Sequence, residues 1–196
     1  MPRPSCRPQI VEAAVSEFHR LGYHGCSVDT ITKAAGVPKG SFYNHFSGKD
    51  ELAAEVVGLY QSRSAFREYE PAGDESPLTE LRGRFRAVAE RHRDRDFARG
   101  CLLANLGAEL GGSVPRVRDA VDEAWRGWTA RVADLVTRAV AAGELPGGVR
   151  PEAYARFLLD AFEGAVTRAK VERSMTPLDD FFDHAFGLVS AGGTRA

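Results

Sequence analysis

Residues Thr30–Lys49 read TITKAAGVPKGSFYNHFSGK, a stretch of twenty residues with three lysines, one histidine and no acidic residue. Helical spacing of apolar residues covers 28–35 and again 39–46, and the helix-breaking Gly36-Val37-Pro38 lies between the two runs. Two short helices joined in this way form a helix-turn-helix, whose second helix enters the major groove of DNA. The stretch therefore predicts a DNA-binding head.

Composition places the rest of the chain among ordinary globular proteins. Of its 196 residues, 43% are hydrophobic and 27% are charged, and the formal net charge is −1. Residues 1–65 carry seven Lys and Arg against six Asp and Glu, whereas the remainder carries 19 against 21. Positive charge is thus slightly in excess only near the start, which favours a small DNA-reading head on a mildly acidic body.

No segment of the sequence predicts a membrane or secreted protein. Apolar runs stay well short of the roughly 18 residues that span a bilayer. The opening residues MPRPSCRPQ lack the apolar core of a signal peptide. We therefore expect a cytoplasmic protein without membrane contact.

Helical periodicity continues through nearly the whole chain, which predicts an all-α fold. Further helices are expected at about 9–21, from 47 towards Tyr69, and at about 78–96, 101–110, 117–139, from 151, and 178–189. The loop at 71–77 follows the helix in which we expect the head and body to join. We assign residues 1–50 to a three-helix DNA-binding head and 51–196 to a helical ligand-sensing and dimerisation body.

Polar residues of the second short helix are the candidates for DNA contact. Ser41 and Asn44 lie three residues apart and suit base edges, since an Asn amide bonds adenine in two places. Phosphate contacts are expected from four side chains: Lys39, Tyr43, His45 and Lys49. Gly40 permits close backbone approach, and Ser27 is expected to cap the N-terminus of the helix that follows it, at the DNA surface. Phe42 and Phe46 are expected in the core.

The first 60 residues resemble the TetR family of bacterial transcriptional repressors. The resemblance rests on Gly22-Tyr23, Ser27-Val28, Ala34-Ala35-Gly36-Val37 and above all the block Lys39–Phe46, KGSFYNHF, with Lys49 and Leu52. It implies an all-α homodimer that presents two heads to a double-stranded DNA operator and carries a body sensing a small-molecule effector.

The body is similar to the NemR-like, electrophile-sensing branch of that family. The matching residues are Gly100-Cys101-Leu102, Asn105-Leu106 with Glu109, Ala169-Lys170, Arg173-Ser174 and Pro177-Leu178. The resemblance implies that Cys101 and Lys170 act together as the sensor. From the residues alone, Arg99 and a helix N-terminus would favour the reactive thiolate of Cys101. The alternative is that Cys101 is an inert, buried small side chain.

Aromatic residues of the body allow two interpretations. Trp125, Trp128 and Phe162 would line a ligand pocket or belong to the core. The apolar stripes over 117–139 and from Tyr154 onward are candidates for a four-helix bundle between two copies. Asn105 and Glu109 would contact a ligand or other body helices.

Motifs of catalysis and metal binding are missing from the sequence. Cys6, Cys26 and Cys101 are widely spaced and form no zinc pattern. His92-Arg93-Asp94 imitates a kinase catalytic loop, but Arg99 stands where its asparagine is required. We therefore expect no enzyme, metal or cofactor, but a repressor that an effector or electrophile releases from DNA. The alternative is non-covalent sensing of an apolar metabolite or drug, with Cys101 structural.

Overall fold

The computed structural model describes residues 5–187, and every regular element in that range is helical. The α-helices are α1 (Arg7–Gly25), α2 (Val28–Ala34), α3 (Lys39–Tyr43), α4 (Lys49–Ser62), α5 (Ala65–Glu68), α6 (Pro77–Arg93), α7 (Leu102–Leu110), α8 (Pro115–Ala141), α9 (Pro151–Glu172) and α10 (Thr176–Phe182), followed by a π-helical turn at Asp183–Gly187. The predicted all-α class is confirmed. Residues 188–189, at the end of the last predicted helix, lie outside the described range. No helix within that range is both long enough and apolar enough to cross a bilayer.

Local signals shape the first three helices. Gly22 leaves helical geometry with φ +71°, as expected for the end of the long first segment, although helical turns resume up to Gly25. The Ser27 hydroxyl accepts a hydrogen bond from the Thr30 N–H at 3.0 Å and caps α2. Gly36, with φ +67°, makes the turn before α3. The second helix of the motif is shorter than predicted, and the chain continues in a turn over Asn44 and His45 before it reaches Phe46.

The helix predicted to run from residue 47 towards Tyr69 is two helices instead. The Glu51 carboxylate accepts hydrogen bonds from the Ser47 N–H at 2.8 Å and from its hydroxyl at 2.7 Å, which fastens the start of α4. Ser64 adopts an extended backbone and accepts a hydrogen bond from the Phe66 N–H at 3.3 Å. A serine cap of this kind ends one helix and begins the next, which explains the break after Ser62.

The helices form two compact units that do not follow the predicted boundary after residue 50. The first unit contains residues up to Ser62 together with Leu102–Ala124, so α4 and α7 join the head helices. The second contains Arg63–Cys101 and the chain from Trp125 onward. Helix α8 contributes residues to both units.

Each unit has its own apolar core. In the first, Ile10, Phe18 and Ile31 are essentially buried. Phe42 and Phe46 lie with them, with ring centroids 5.4 Å apart, which confirms that they are core residues. The core of the second unit includes a cluster of rings around Phe85: Phe66, Phe162, Phe181 and Phe186.

Most of both stripes proposed for the dimer bundle is buried inside the chain itself. Val117, Val132 and Ala139 on α8 have no exposed surface, and Leu158 and Phe162 on α9 are equally enclosed. These residues are therefore covered by their own chain, whereas Phe157, on the stripe of α9, is 58% exposed and stays a predicted contact with a second copy. Apolar spacing marks a buried helix face but does not say whether the covering surface belongs to the same chain.

Candidate DNA-binding surface and sensor site

The polar residues of α3 and the following turn lie on the surface. The two core phenylalanines hold this segment from inside, which leaves the Tyr43 side chain 59% exposed. Lys39, Gly40 and Asn44 are exposed as well, and Ser41 is partly exposed. The side-chain amide of Asn44 makes no hydrogen bond within residues 5–187, so its donors and acceptor are available to an external partner.

The lysines of the opening stretch have three different environments. The Lys33 amine pairs with the Asp29 carboxylate at 2.8 Å, one helical turn earlier on α2. The Lys39 amine has no ion pair with any described residue. Lys39 is therefore the lysine of this stretch whose charge is available to a phosphate.

Lys49 is a structural residue of the head. Its amine donates to the Tyr23 carbonyl oxygen at 2.7 Å and to the Cys26 carbonyl oxygen at 2.8 Å. It also lies 3.9 Å from the centroid of the Tyr23 ring. Two of its three donors are thus used to hold the end of α1, and we remove Lys49 from the expected phosphate contacts.

His45 and Ser27, both expected at the DNA surface, already have partners. A hydrogen bond joins His45 Nε2 to Cys6 Sγ at 3.3 Å, which connects the end of the recognition segment with the start of α1. The Ser27 hydroxyl is exposed but occupied by its cap on α2 and by the Thr30 hydroxyl at 2.8 Å. Both side chains position the surface, whether or not they contact DNA themselves.

Glu109 has a role that the sequence did not reveal. From the last turn of α7, its Oε2 accepts a hydrogen bond from the Tyr23 N–H at 2.8 Å and its Oε1 accepts one from the His24 N–H at 2.7 Å. A Cβ at Gly22 would lie 3.2 Å from Glu109 Oε2, so glycine permits both the positive φ and this close approach. The carboxylate thus ties α7 to the end of α1.

Cys101 contacts a carboxyl group in the second unit. Its side chain is 5% exposed, directly before α7, and its thiol donates a hydrogen bond to the carboxylate of Glu163 on α9. Burial raises the pKa of Glu163 to about 7, and the hydrogen bond from the thiol partly opposes this rise. Glu163 Oε2 is buried and has no hydrogen-bond partner. The pair combines a nucleophile with a group able to exchange protons near neutral pH.

No hydrogen bond or ion pair joins Lys170 to Cys101 within the described residues. Lys170 is exposed near the end of α9, and its amine makes no hydrogen bond or ion pair with any described residue. Asn105 is partly buried on α7, one turn before Glu109. The thiol partner expected from sequence is therefore replaced by Glu163, whose carboxyl carries the opposite charge when ionised.

The aromatic candidates for a ligand pocket pack in the second core. Phe162 is 3% exposed, and its ring centroid lies 5.0 Å from that of Phe85. Trp125 and Trp128 meet edge to face at 5.3 Å and are partly buried against the same core. Trp128 Nε1 is buried and has no hydrogen-bond partner. These contacts give the residues a structural role.

Two protein-family models match the chain, one over the helix-turn-helix region and one over the later helices. "Bacterial regulatory proteins, tetR family" matches residues 10–56, which contain the helix-turn-helix. "Tetracyclin repressor-like, C-terminal domain" matches residues 77–185. The chain belongs to the TetR family. The sequence resemblance is therefore confirmed, and so is the expectation of a transcriptional regulator rather than an enzyme.

Similar proteins support this assignment over most of the chain. The transcriptional regulator AcuR of Cereibacter sphaeroides is 36% identical over 175 residues, which are 88% of this chain and 80% of AcuR. The transcriptional repressor DhaR of Mycobacterium sp. strain GP1 is 32% identical over 95% of this chain and 93% of its own.

Solved structures show the same fold. A regulatory protein TetR from Rhodobacter sphaeroides superimposes with a TM-score of 0.83 at 34% identity, covering 91% of this chain and 95% of its own. The reduced form of NemR from E. coli has a TM-score of 0.73 at 25% identity over the same shares of the two chains. NemR is thus a relative, as the body motifs indicated.

Proposed function

We propose that this TetR-family protein is a repressor that binds a short, near-palindromic DNA operator as a homodimer. The exposed row of Tyr43, Asn44 and Lys39 on a short helix anchored by buried rings carries the proposal. Such a surface supplies an amide for a base edge and a cation and a hydroxyl for phosphates. Because bacterial operators lie in the cytoplasm, we place the protein there.

The outer face of α9 is our candidate for contact between two copies. Phe157 is 58% exposed, and it borders a groove of about 580 Å³ that also receives Ala161, Ala165 and Phe181 from α9 and α10. An exposed apolar surface of this kind marks an interaction site. A dimer would place two heads on successive major-groove half-sites, roughly 34–36 Å apart.

Two measurements test the repressor. Gel shifts with the promoter next to the gene for this protein should show retardation at low salt. Light scattering should give the mass of a dimer. Phe157→Glu should lower the dimer fraction and, with it, operator affinity. Failure of the wild-type protein to retard any adjoining promoter fragment at low salt contradicts the proposal.

Release from DNA would follow reaction of Cys101 with an electrophile. When the thiol adds to an activated alkene, the sulfur bonds to the β-carbon and the alkene π electrons pass to the α-carbon. The thiol proton finally resides on the α-carbon. Glu163 is positioned to accept the thiol proton and return it. The buried carboxyl whose pKa lies at about 7 and which touches the thiol supports this assignment.

Treatment with N-ethylmaleimide tests the sensor separately from DNA binding. The wild-type protein should lose operator affinity on alkylation, while Cys101→Ser should bind DNA and resist the reagent. Cys26→Ser is the matched control, since Cys26 is buried in the head. Equal loss of binding in wild type and Cys101→Ser removes Cys101 from the mechanism.

The second candidate is non-covalent release by an apolar metabolite or drug, with Cys101 structural. The low exposure of Cys101 favours this candidate. Against it, the rings of Trp125, Trp128 and Phe162 are packed and give a ligand pocket no evident lining. Release that reverses on dialysis and persists in Cys101→Ser would support this candidate over the electrophile sensor.

A further inference from the structure

A cleft of about 490 Å³ opens on the second unit between α5, α6 and α8. Its charged lining consists of four arginines and two acids: Arg67, Arg84, Arg131, Arg138, Glu80 and Asp134. Pockets of about 300–1,000 Å³ hold small molecules. The excess of positive charge indicates the sign of a ligand that would fit here.

Two of the arginines are neutralised by acids within the cleft. Arg84 Nη2 lies 2.7 Å from Glu80 Oε1, and its Nη1 donates to the Phe66 carbonyl oxygen at 2.6 Å. Arg138 bridges Glu80 Oε2 at 3.0 Å and Asp134 Oδ2 at 3.3 Å. Burial would raise the pKa of Glu80, but the hydrogen bonds from the two guanidinium groups outweigh it and keep the pKa below its usual value. Glu80 therefore stays ionised and is fully engaged.

The other two arginines lack a counter-charge. The guanidinium groups of Arg67 and Arg131 form no ion pair with any residue of the described range. Arg131 Nη1 is buried and has no hydrogen-bond acceptor. Burial, and then the charge of Arg67, lower the pKa of Arg131. A buried guanidinium N–H without an acceptor, close to a second cation, is unfavourable unless a ligand supplies the missing oxygens.

We propose that this cleft binds a small molecule bearing an oxyanion, a phosphate or carboxylate group, held between Arg131 and Arg67. Guanidinium groups bind such groups in a bidentate manner, with both charge and geometry matched. Arg84 and Arg138 line the cleft but remain paired with the carboxylates of Glu80 and Asp134. The site differs from Cys101 and requires no reaction. As an effector site it rests on the proposed repressor function, but binding itself does not.

Calorimetric titration of the full chain with pyrophosphate and with citrate, at constant ionic strength and without DNA, tests the proposal. One of the two anions should bind saturably, and the preferred one distinguishes phosphate from carboxylate ligands. Arg131→Gln and Arg67→Gln should each weaken this binding about tenfold or more. Arg67 is exposed, so its variant preserves the fold even if Arg131→Gln does not.

Arg156→Gln is the control, because it removes the same charge from an exposed position outside the cleft. Unchanged affinity in this variant supports the site. Absence of saturable binding by both anions, or equal weakening in the control, overturns it. Gel shifts of the ligand-free protein decide the repressor function independently.

Discussion

Glu109 on α7 accepts the backbone N–H of Tyr23 at 2.8 Å, and its second oxygen accepts that of His24 at 2.7 Å. Helix α7 starts directly after Cys101, so the chain that leaves the thiol reaches the head within one short helix. A displacement of α7 would therefore pull on the end of α1. The two hydrogen bonds therefore couple the position of α7 to that of the end of α1.

Replacement of Glu109 should weaken the head. Glu109→Ala leaves two N–H groups without their acceptor, which should lower the free energy of unfolding by about 1–3 kcal/mol. Hydrogen exchange at the Tyr23 and His24 amides should accelerate. Glu123→Gln, an exposed carboxylate on α8, is the control. Unaltered exchange at both amides would show that the clamp does not exist in solution.

Lys49 should affect stability rather than phosphate contact. Lys49→Met keeps the length of the side chain but removes the hydrogen bonds to the Tyr23 and Cys26 carbonyl oxygens. Because these bonds involve a charged donor, we expect the free energy of unfolding to fall by roughly 2 kcal/mol. Thermal unfolding of the variant and the wild type measures this difference. The salt dependence of operator binding should stay unchanged. A normal melting temperature with a reduced salt dependence would restore Lys49 to the phosphate contacts.

Lys39 should contribute the phosphate contact. Lys39→Gln should reduce the slope of log affinity against log salt by about 0.9 per head, or about 2 per dimer. Lys33→Gln is the matched control, since its amine is already paired with Asp29 at 2.8 Å. Equal slopes for Lys39→Gln and the wild-type protein would exclude a contact of Lys39 with phosphate.

Asn44 should read a base. Asn44→Ala should lose about 1–3 kcal/mol of preference for the operator over a scrambled sequence, because the amide supplies a bidentate contact. Non-specific affinity should change little. Fluorescence anisotropy with both DNA fragments measures the ratio, and an unchanged ratio would place Asn44 outside the base-reading surface.

Glu163 should make stability depend on pH. The pKa of about 7 in the folded chain lies above the usual value of 4.5, so the folded state binds more protons than the unfolded state between these values. The contribution of Glu163 to the free energy of unfolding is therefore fully present below pH 4.5 and is lost as the pH rises through 7. Glu163→Gln should therefore be more stable than the wild type at pH 8.5, by on the order of 2 kcal/mol.

Urea unfolding at pH 5, 7 and 8.5 gives the difference curve between variant and wild type. Comparison with the wild type is needed because a second group also makes stability depend on pH. Burial lowers the pKa of His92 to about 4, so the contribution of His92 to the free energy of unfolding falls as the pH drops below 6.5. Glu152→Gln, an exposed carboxylate on the same helix, should produce a flat difference. A flat difference for Glu163→Gln as well would mean that this carboxyl is not buried in solution.

The sequence by itself determined the helical class, the helix-turn-helix and its anchors. These features depend on local spacing and on single residues that start or stop helices, such as Ser27, Gly36 and the buried pair Phe42 and Phe46. Periodicity carries this information because a helix repeats its faces every few residues, whatever lies elsewhere in the chain.

Only the tertiary structure decided which polar groups meet. Glu109 and Tyr23 are 86 residues apart, and Lys49 and Tyr23 are 26 apart, so no local pattern reveals either contact. The pairing of Cys101 with Glu163 and the unpaired guanidinium of Arg131 have the same origin. Hydrogen bonds and desolvation depend on distances of a few ångströms in space, and those distances are set by how the helices pack.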